Sequence, residues 1–223
     1  MKKSALIILE QPWGLDKKDQ NVVSVLPYFQ GLERLAGNFD LYHSNFYEAK
    51  SFAMALDELT QLDYKQYYLY IACHGAGARL GRMNLLSMLD KINNKAQQRN
   101  IVGVILGACL VGNKTSHFEY FTQASSIVWK IGYKCAVNWL DGTLLDLQFF
   151  NQLMGVDKRV LANKDTLLER IKQVACIYSP TAVIGKDVNK QPMTIADSLT
   201  LVMQPKGQGN KAKDYSSQLF DGN

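Results

Sequence analysis

Residues 67–75 read YYLYIACHG, and residues 101–109 read IVGVILGAC. Each stretch is an apolar run long enough for one strand. A residue with a reactive side chain and a nearby glycine stand at the end of each run, His74 in the first and Cys109 in the second. A continuous apolar run is typical of a central parallel strand that is buried on both faces. We therefore interpret the two runs as neighbouring strands of one sheet.

The rest of the chain alternates between strand and helix. Further strands are predicted from short apolar or alternating runs at residues 4–10, 39–43, 133–139 and 198–204. Helices are indicated between them by apolar residues that recur every three or four positions, at residues 28–35, 52–59, 85–92, 145–153 and 167–174. Strands separated by helices predict a parallel sheet that is covered on both faces.

Composition and length favour a single folded domain. The chain has 223 residues, of which 47% are hydrophobic and 20% charged, which is enough for one core and argues against wholesale disorder. We predict one domain over residues 1–204 and a flexible tail over 205–223, where Gly, Lys, Asn and Ser dominate. The net charge of +5 comes without a dense Lys/Arg block, so no clear nucleic-acid signal is present.

The cysteines predict neither a metal site nor a disulfide framework. No pair has CxxC spacing and no His/Cys cluster occurs, so we expect no metal and no cofactor. Cys73, Cys135 and Cys176 fall in apolar runs and are interpreted as core residues. The apolar run Ala5–Leu9 is too short for a signal peptide, and no run is long enough for a membrane span. A reducing, cytoplasmic location is therefore expected.

The two reactive residues suit acyl transfer. The carboxyl ends of neighbouring parallel strands meet at one edge of the sheet. His74 and Cys109 are 35 positions apart, which leaves room for a right-handed crossover between the two strands. A cysteine thiolate is a nucleophile, and an imidazole can take its proton and later protonate the leaving amine. The N–H groups of Gly75 and Cys109 are candidate oxyanion donors. Separately, each residue is more often structural; their coincidence at matched strand ends favours catalysis.

A strand ending in His-Gly, followed some tens of residues later by a strand ending in Ala-Cys, resembles the caspase-like cysteine peptidases. That superfamily includes caspases, metacaspases, gingipains, separase and the bacterial CHAT-type domains. Residues 135–150, CAVNWLDGTLLDLQFF, resemble the CHAT-type pattern of a strand, an aspartate and a helix behind the active site. The resemblance implies a three-layer α/β sandwich with about six mostly parallel strands, helices on both faces, a His74–Cys109 dyad and cleavage after a defined residue.

Departures from the caspase signature limit what the resemblance implies. Gly107 stands where caspases have Gln before Ala-Cys, so the caspase preference for acidic substrates does not transfer. No long linker of the kind that caspases cut follows Cys109. A single-chain enzyme that acts on a protein or peptide and is controlled by an activating partner or ligand is expected. Small prokaryotic relatives imply a role in defence.

Substrate specificity is suggested by Trp139 and Asp141, which follow the predicted fifth strand. An acid in a desolvated pocket could select Lys or Arg by charge pairing. The alternative, which we favour, is that Asp141 caps the following helix. Asp146, further along that helix, is interpreted as a residue of the solvated face.

Three other functions are less well supported. An α/β-hydrolase elbow needs glycine two residues after the nucleophile, where this chain has Val111, and a late histidine, which it lacks. Gly75, Gly77 and Gly81 miss both nucleotide-binding glycine patterns. A catalytically silent caspase-like scaffold or binding module remains the alternative to a cysteine endopeptidase, because fold alone does not establish activity.

Overall fold

The computed structural model of the chain describes residues 4–13, 23–123, 125–207 and 209–221. Its strands are β1 (Ser4–Glu10), β2 (Phe39–Asn45), β3 (Gln66–Ala72), β4 (Gly75–Ala76), β5 (Arg79–Leu80), β6 (Met83–Asn84), β7 (Ile101–Gly107), β8 (Trp129–Tyr133), β9 (Ala136–Val137), β10 (Val183–Lys186), β11 (Pro192–Thr194), β12 (Leu199–Met203) and β13 (Lys213–Asp214). Its α-helices are α1 (Leu26–Ala36), α2 (Ala49–Leu59), α3 (Leu85–Gln98), α4 (Thr115–Gln123), α5 (Trp139–Leu153), α6 (Lys158–Ala162), α7 (Lys164–Ala175) and α8 (Ile195–Ser198).

A seven-stranded sheet in the order β13-β12-β8-β7-β3-β1-β2 forms the centre of the fold. Five neighbouring strands of this sheet, β2, β1, β3, β7 and β8, run parallel to one another. Strands β12 and β13 add an antiparallel edge. The predicted mostly parallel α/β sheet is confirmed, with one strand more than expected.

Helices cover both faces of this sheet because side chains of a strand alternate between its faces. In β1, Leu6 and Ile8 pack into a core with α1, α5 and α7. Ala5, Ile7 and Leu9 pack into a second core with α2, α3 and α4. The two cores give the predicted three layers.

The strands that carry the reactive residues are direct neighbours. Strands β3 and β7 pair in parallel, with Ala72 opposite Gly107, and α3 forms the crossover between them. Asn84 is the N-cap of α3, and its Oδ1 accepts a hydrogen bond from the N–H of Leu86 at 2.9 Å. After His74, strands β4, β5 and β6 form a small antiparallel sheet.

The expected strand over residues 133–139 was placed too late. The fifth strand of the large sheet is β8, and residues 136–137 form the short β9 of a separate three-stranded sheet. Lys130 interrupts the apolar pattern of β8, which therefore does not look like a buried strand in sequence.

The C-terminal segment differs from the expected flexible tail. Strand β13 pairs with β12, and Tyr215 and Leu219 are buried in the core that contains α5 and α7. Backbone pairing and two buried side chains make the described part of residues 205–221 a component of the fold.

None of the helices in the described ranges combines the length and the apolar character that a membrane crossing needs.

A buried lysine in β8 opposes folding. Lys130 is fully buried, and its Nζ donates a hydrogen bond to Thr122 Oγ1 at 2.9 Å. No carboxylate pairs with it in the part of the chain that the structure describes. Burial therefore lowers the pKa of Lys130 to about 7. In the unfolded chain the same amine is solvated and keeps its ordinary pKa.

We predict that Lys130→Met stabilises the protein at pH 7 by several kcal/mol, since one pKa unit corresponds to about 1.4 kcal/mol. Between pH 7 and pH 10 the unfolded wild type binds more protons than the folded one, so its stability rises with pH. The variant lacks this rise. Urea unfolding at both ends of that pH range measures both effects, with Lys186→Met, an exposed strand lysine, as the control. An unchanged pH slope in Lys130→Met would contradict the assignment.

Candidate active site

His74 and Cys109 line one pocket at the carboxyl ends of β3 and β7. We call it the dyad pocket; it has a volume of about 120 Å³. Its walls include Trp13, Tyr70, His74, Cys109, Trp139 and Asp146. The sequence prediction that the two reactive residues lie at one sheet edge is therefore met by the placement of their side chains.

The backbones of Gly75 and Cys109 approach each other closely. A β-carbon on residue 75 would lie 2.6 Å from the Cys109 nitrogen and would overlap the Cys109 carbonyl oxygen, so only glycine fits there. Interaction with the backbone of Gly75 and of Cys109 itself lowers the pKa of the Cys109 thiol. The two predicted oxyanion donors thus lie together at the predicted nucleophile.

The imidazole of His74 is oriented by a backbone carbonyl. His74 Nε2 lies 2.7 Å from the carbonyl oxygen of Trp13. Because a carbonyl oxygen can only accept, Nε2 carries the hydrogen, and Nδ1 keeps the lone pair. The indole of Trp13 also packs edge-on against the imidazole, with ring centroids 5.2 Å apart at 80°. Trp13 therefore fixes both the tautomer and the plane of the candidate base.

A buried carboxylate in turn holds Trp13. Glu10 Oε1 accepts hydrogen bonds from Trp13 Nε1 at 2.7 Å and from the N–H of Val25 at 3.0 Å. Its Oε2 lies 2.6 Å from Ser24 Oγ and 3.0 Å from His43 Nε2. Burial alone raises the pKa of Glu10, but these hydrogen bonds outweigh it and hold the pKa below its ordinary value. An ionised Glu10 thus joins the end of β1 to Trp13 and to the start of α1.

The Cys109 thiol is half-buried. Burial raises its pKa, and hydrogen bonds with the backbone of Val137, Gly75 and Cys109 itself act in the opposite direction without cancelling the rise. The sulfur lies 4.0 Å from the Val137 carbonyl oxygen. A thiol with a raised pKa stays protonated near neutral pH, so a nucleophilic role requires a base.

Asp146, interpreted from sequence as a solvated residue, is instead buried in the wall of the dyad pocket. Its side chain is only 1% exposed, and the prediction is wrong. Its Oδ1 accepts a hydrogen bond from Tyr133 at 2.7 Å, and Tyr70 donates a second one. Burial raises the pKa of Asp146 to about 7. The position could have been found from periodicity, because Asp146 shares a helical face with the buried Phe149.

The two predicted specificity residues lie in different surroundings. Trp139 lines the dyad pocket and packs edge-on against Trp13, with ring centroids 6.1 Å apart. Asp141 is exposed in the first turn of α5, where its carboxylate accepts a hydrogen bond from Asn138 Nδ2 at 3.1 Å. It is not among the residues that line the pocket, and a part for it in substrate binding stays a prediction.

No group of three or more His, Cys, Asp or Glu side chains within the described ranges could hold a metal ion. The reactive and polar groups at the site are the Cys109 thiol, the His74 imidazole with a lone pair on Nδ1, two backbone N–H groups and the buried Asp146 carboxyl. Such a set can carry out nucleophilic acyl transfer with an acidic specificity pocket.

Comparison with known proteins shows the fold of the chain. No protein-family model matches it, and no curated protein does. Among solved structures, it is similar to a secreted C11 cysteine protease from Bacteroides thetaiotaomicron, determined in complex with an irreversible peptide inhibitor. The alignment has a TM-score of 0.52 and 9% sequence identity, and covers 98% of this chain and 68% of that chain. The chain therefore has the fold of the caspase-like cysteine peptidases.

Proposed function

We propose that this chain is a cysteine endopeptidase that cleaves a protein or peptide after a basic residue, with Cys109 as nucleophile and His74 as base. One observation carries the proposal: the thiol and the imidazole line the same pocket, and a buried carboxyl lies in its wall. The backbone of Gly75 lies directly against that of Cys109. The fold shared with a cysteine protease supports it.

The proposed acylation step uses these groups in turn. His74 Nδ1 takes the proton from the Cys109 thiol as the sulfur attacks the carbonyl carbon of the scissile bond. The carbonyl oxygen gains the negative charge, which the N–H groups of Gly75 and Cys109 stabilise. Collapse of this intermediate breaks the C–N bond, and His74 gives its proton to the leaving amine. The product is a thioester on Cys109.

Hydrolysis of the thioester uses the same groups. His74 Nδ1 takes a proton from a water molecule while the water oxygen attacks the thioester carbon. The proton passes to the sulfur when the C–S bond breaks. The hydrogen bond from Nε2 to the Trp13 carbonyl keeps the imidazole in one orientation through both half-reactions. It also disperses the charge of the imidazolium.

Asp146 supports a preference for Lys or Arg before the scissile bond. Its carboxyl has no cationic partner among the described residues and is held by two tyrosine hydroxyls in the pocket wall. A guanidinium or ammonium group that enters the pocket can pair with the ionised carboxylate away from bulk water, where such a pair is strong. The indoles of Trp13 and Trp139 offer faces for the aliphatic stem of that side chain.

We further propose that the chain is related to CHAT-type domains, is controlled by an activating partner or ligand, acts in prokaryotic defence and lies in the cytoplasm. A catalytically silent scaffold is the alternative function, and it makes the opposite prediction for the reactivity of Cys109.

Iodoacetamide alkylation at pH 6 to 7, with exposed Cys176 as the internal reference, tests the dyad. With a functional base, Cys109 reacts faster than Cys176 by roughly tenfold or more. Without one, Cys109 reacts more slowly than Cys176, because burial raises its pKa. Peptide mass spectrometry measures both rates in one sample.

His74→Ala should remove the advantage of Cys109, whereas His117→Ala, a change on α4, should leave it intact. Slow labelling of Cys109 in the wild type, equal to that in His74→Ala, would contradict the dyad and favour the scaffold.

A pair of fluorogenic peptides that differ only in arginine or its neutral isostere citrulline before the scissile bond tests Asp146. At pH 8 we expect the arginine peptide to have a kcat/KM about 10- to 100-fold higher, the range for a hydrogen-bonded charge pair. The ratio should fall as the pH decreases through about 7, because Asp146 then gains a proton and loses its charge. The ratio cancels the titration of the dyad, which both peptides share.

In Asp146→Asn the ratio should be small and independent of pH. Asp141→Asn is the matched control, since it removes an exposed acid from the same helix. Loss of the ratio in Asp141→Asn with retention in Asp146→Asn would overturn the assignment and restore Asp141 as the specificity residue.

A further inference from the structure

A second groove adjoins the dyad pocket on the other side of His74. It has a volume of about 300 Å³ and shares Trp13 and His74 with the dyad pocket. Its other walls are Gln11, Pro12, Tyr47, Gly81 and Arg82. We call it the arginine groove. A peptide that places one side chain in the dyad pocket must pass His74, so a neighbouring side chain lies within reach of this groove.

The wall of the arginine groove is fixed to the site. Gly81 has a positive φ of 53°, and a β-carbon there would overlap the side-chain amide of Gln11. That amide donates a hydrogen bond to the Tyr47 carbonyl at 3.1 Å. The N–H of Gly81 donates to the His74 carbonyl at 2.6 Å. The small sheet of β4, β5 and β6 is thereby attached to the backbone of the candidate base.

Two positive charges in this small sheet lack an acidic partner. Arg79 and Arg82 are both exposed, and Arg79 Nη2 donates a hydrogen bond to the Arg82 carbonyl at 3.2 Å. Neither pairs with a carboxylate in the part of the chain that the structure describes. Residues 74–89 contain no Asp or Glu. The guanidinium of Arg82 thus brings an unneutralised charge to a groove whose other walls contain no acidic side chain.

We propose that the arginine groove binds an acidic side chain of the substrate, with Arg82 as its partner and Arg79 beside it. This rests on the proposed peptidase function and narrows its substrate class to peptides that combine a basic residue before the scissile bond with a nearby Asp or Glu. A guanidinium suits this role because its planar donors match the two oxygens of a carboxylate. Pro12, Trp13 and Tyr47 provide apolar surface beside the pair.

A set of peptides with arginine fixed before the scissile bond tests the groove. The two positions before this arginine and the three positions after the scissile bond are changed one at a time to Glu, Gln or Lys. At one position we expect Glu to give a kcat/KM roughly two- to fivefold above Gln, the range for an exposed charge pair. Arg82→Gln should abolish this preference, and Arg82→Glu should reverse it in favour of Lys. Arg99→Glu, the same charge change at the end of α3, should leave it intact.

Binding to a Cys109→Ala protein separates this inference from the peptidase proposal. Fluorescence anisotropy with the same peptides should show tighter binding of the Glu peptide, lost in Arg82→Gln. If no peptide is cleaved but this difference persists, the peptidase proposal fails and the groove stands. Equal values for Glu and Gln at all five positions, in both cleavage and binding, would overturn the groove.

Discussion

The pairing of β3 with β7 is the constraint on which the candidate site depends. Parallel hydrogen bonding places Ala72 opposite Gly107, so the chain leaves both strands at the same edge and carries His74 and Cys109 to one pocket. Gly75 completes the arrangement, because its missing side chain lets its backbone touch that of Cys109. The proposed nucleophile and the proposed oxyanion donors are therefore positioned by strand ends and by backbone contacts, and only the imidazole needs a further partner.

That partner comes from β1, the next strand of the sheet. The Trp13 carbonyl accepts the His74 hydrogen bond, and the buried Glu10 carboxylate holds the Trp13 indole. Glu10 also binds Ser24 and Val25, so one ionised group fixes the chain on both sides of residues 14–22. Orientation of the candidate base thus depends on a carboxylate that touches neither the thiol nor the imidazole. The same Trp13 forms a wall common to the dyad pocket and the arginine groove.

Sequence patterns predicted the parallel sheet, its helices on both faces and the positions of His74, Gly75 and Cys109, because strand ends and glycines are local signals. They failed where a polar residue is buried. Lys130 interrupts the apolar pattern of β8, so this strand was not predicted at its true position, and Asp146 was interpreted as a surface residue. Tertiary packing buries both side chains. Trp13 carried no signal in the sequence, since its role depends on a hydrogen bond with His74, 61 residues away. Glu10 carried none either, because it acts on His74 only through Trp13. Residues 209–221 have a loop-like composition, yet they pair with β12 and add to the core.

The proposed function depends on attack by Cys109 on a carbonyl held beside a basic side chain. Incubation with a peptidyl acyloxymethyl ketone that carries arginine at its reactive end, followed by digestion and mass spectrometry, tests this directly. In such a reagent the thiolate displaces a carboxylate and leaves a stable thioether on the nucleophile. We expect one adduct per chain, on Cys109, and slower labelling by the citrulline analogue. Modification of Cys176 in place of Cys109, or equal rates for the two reagents, would contradict it.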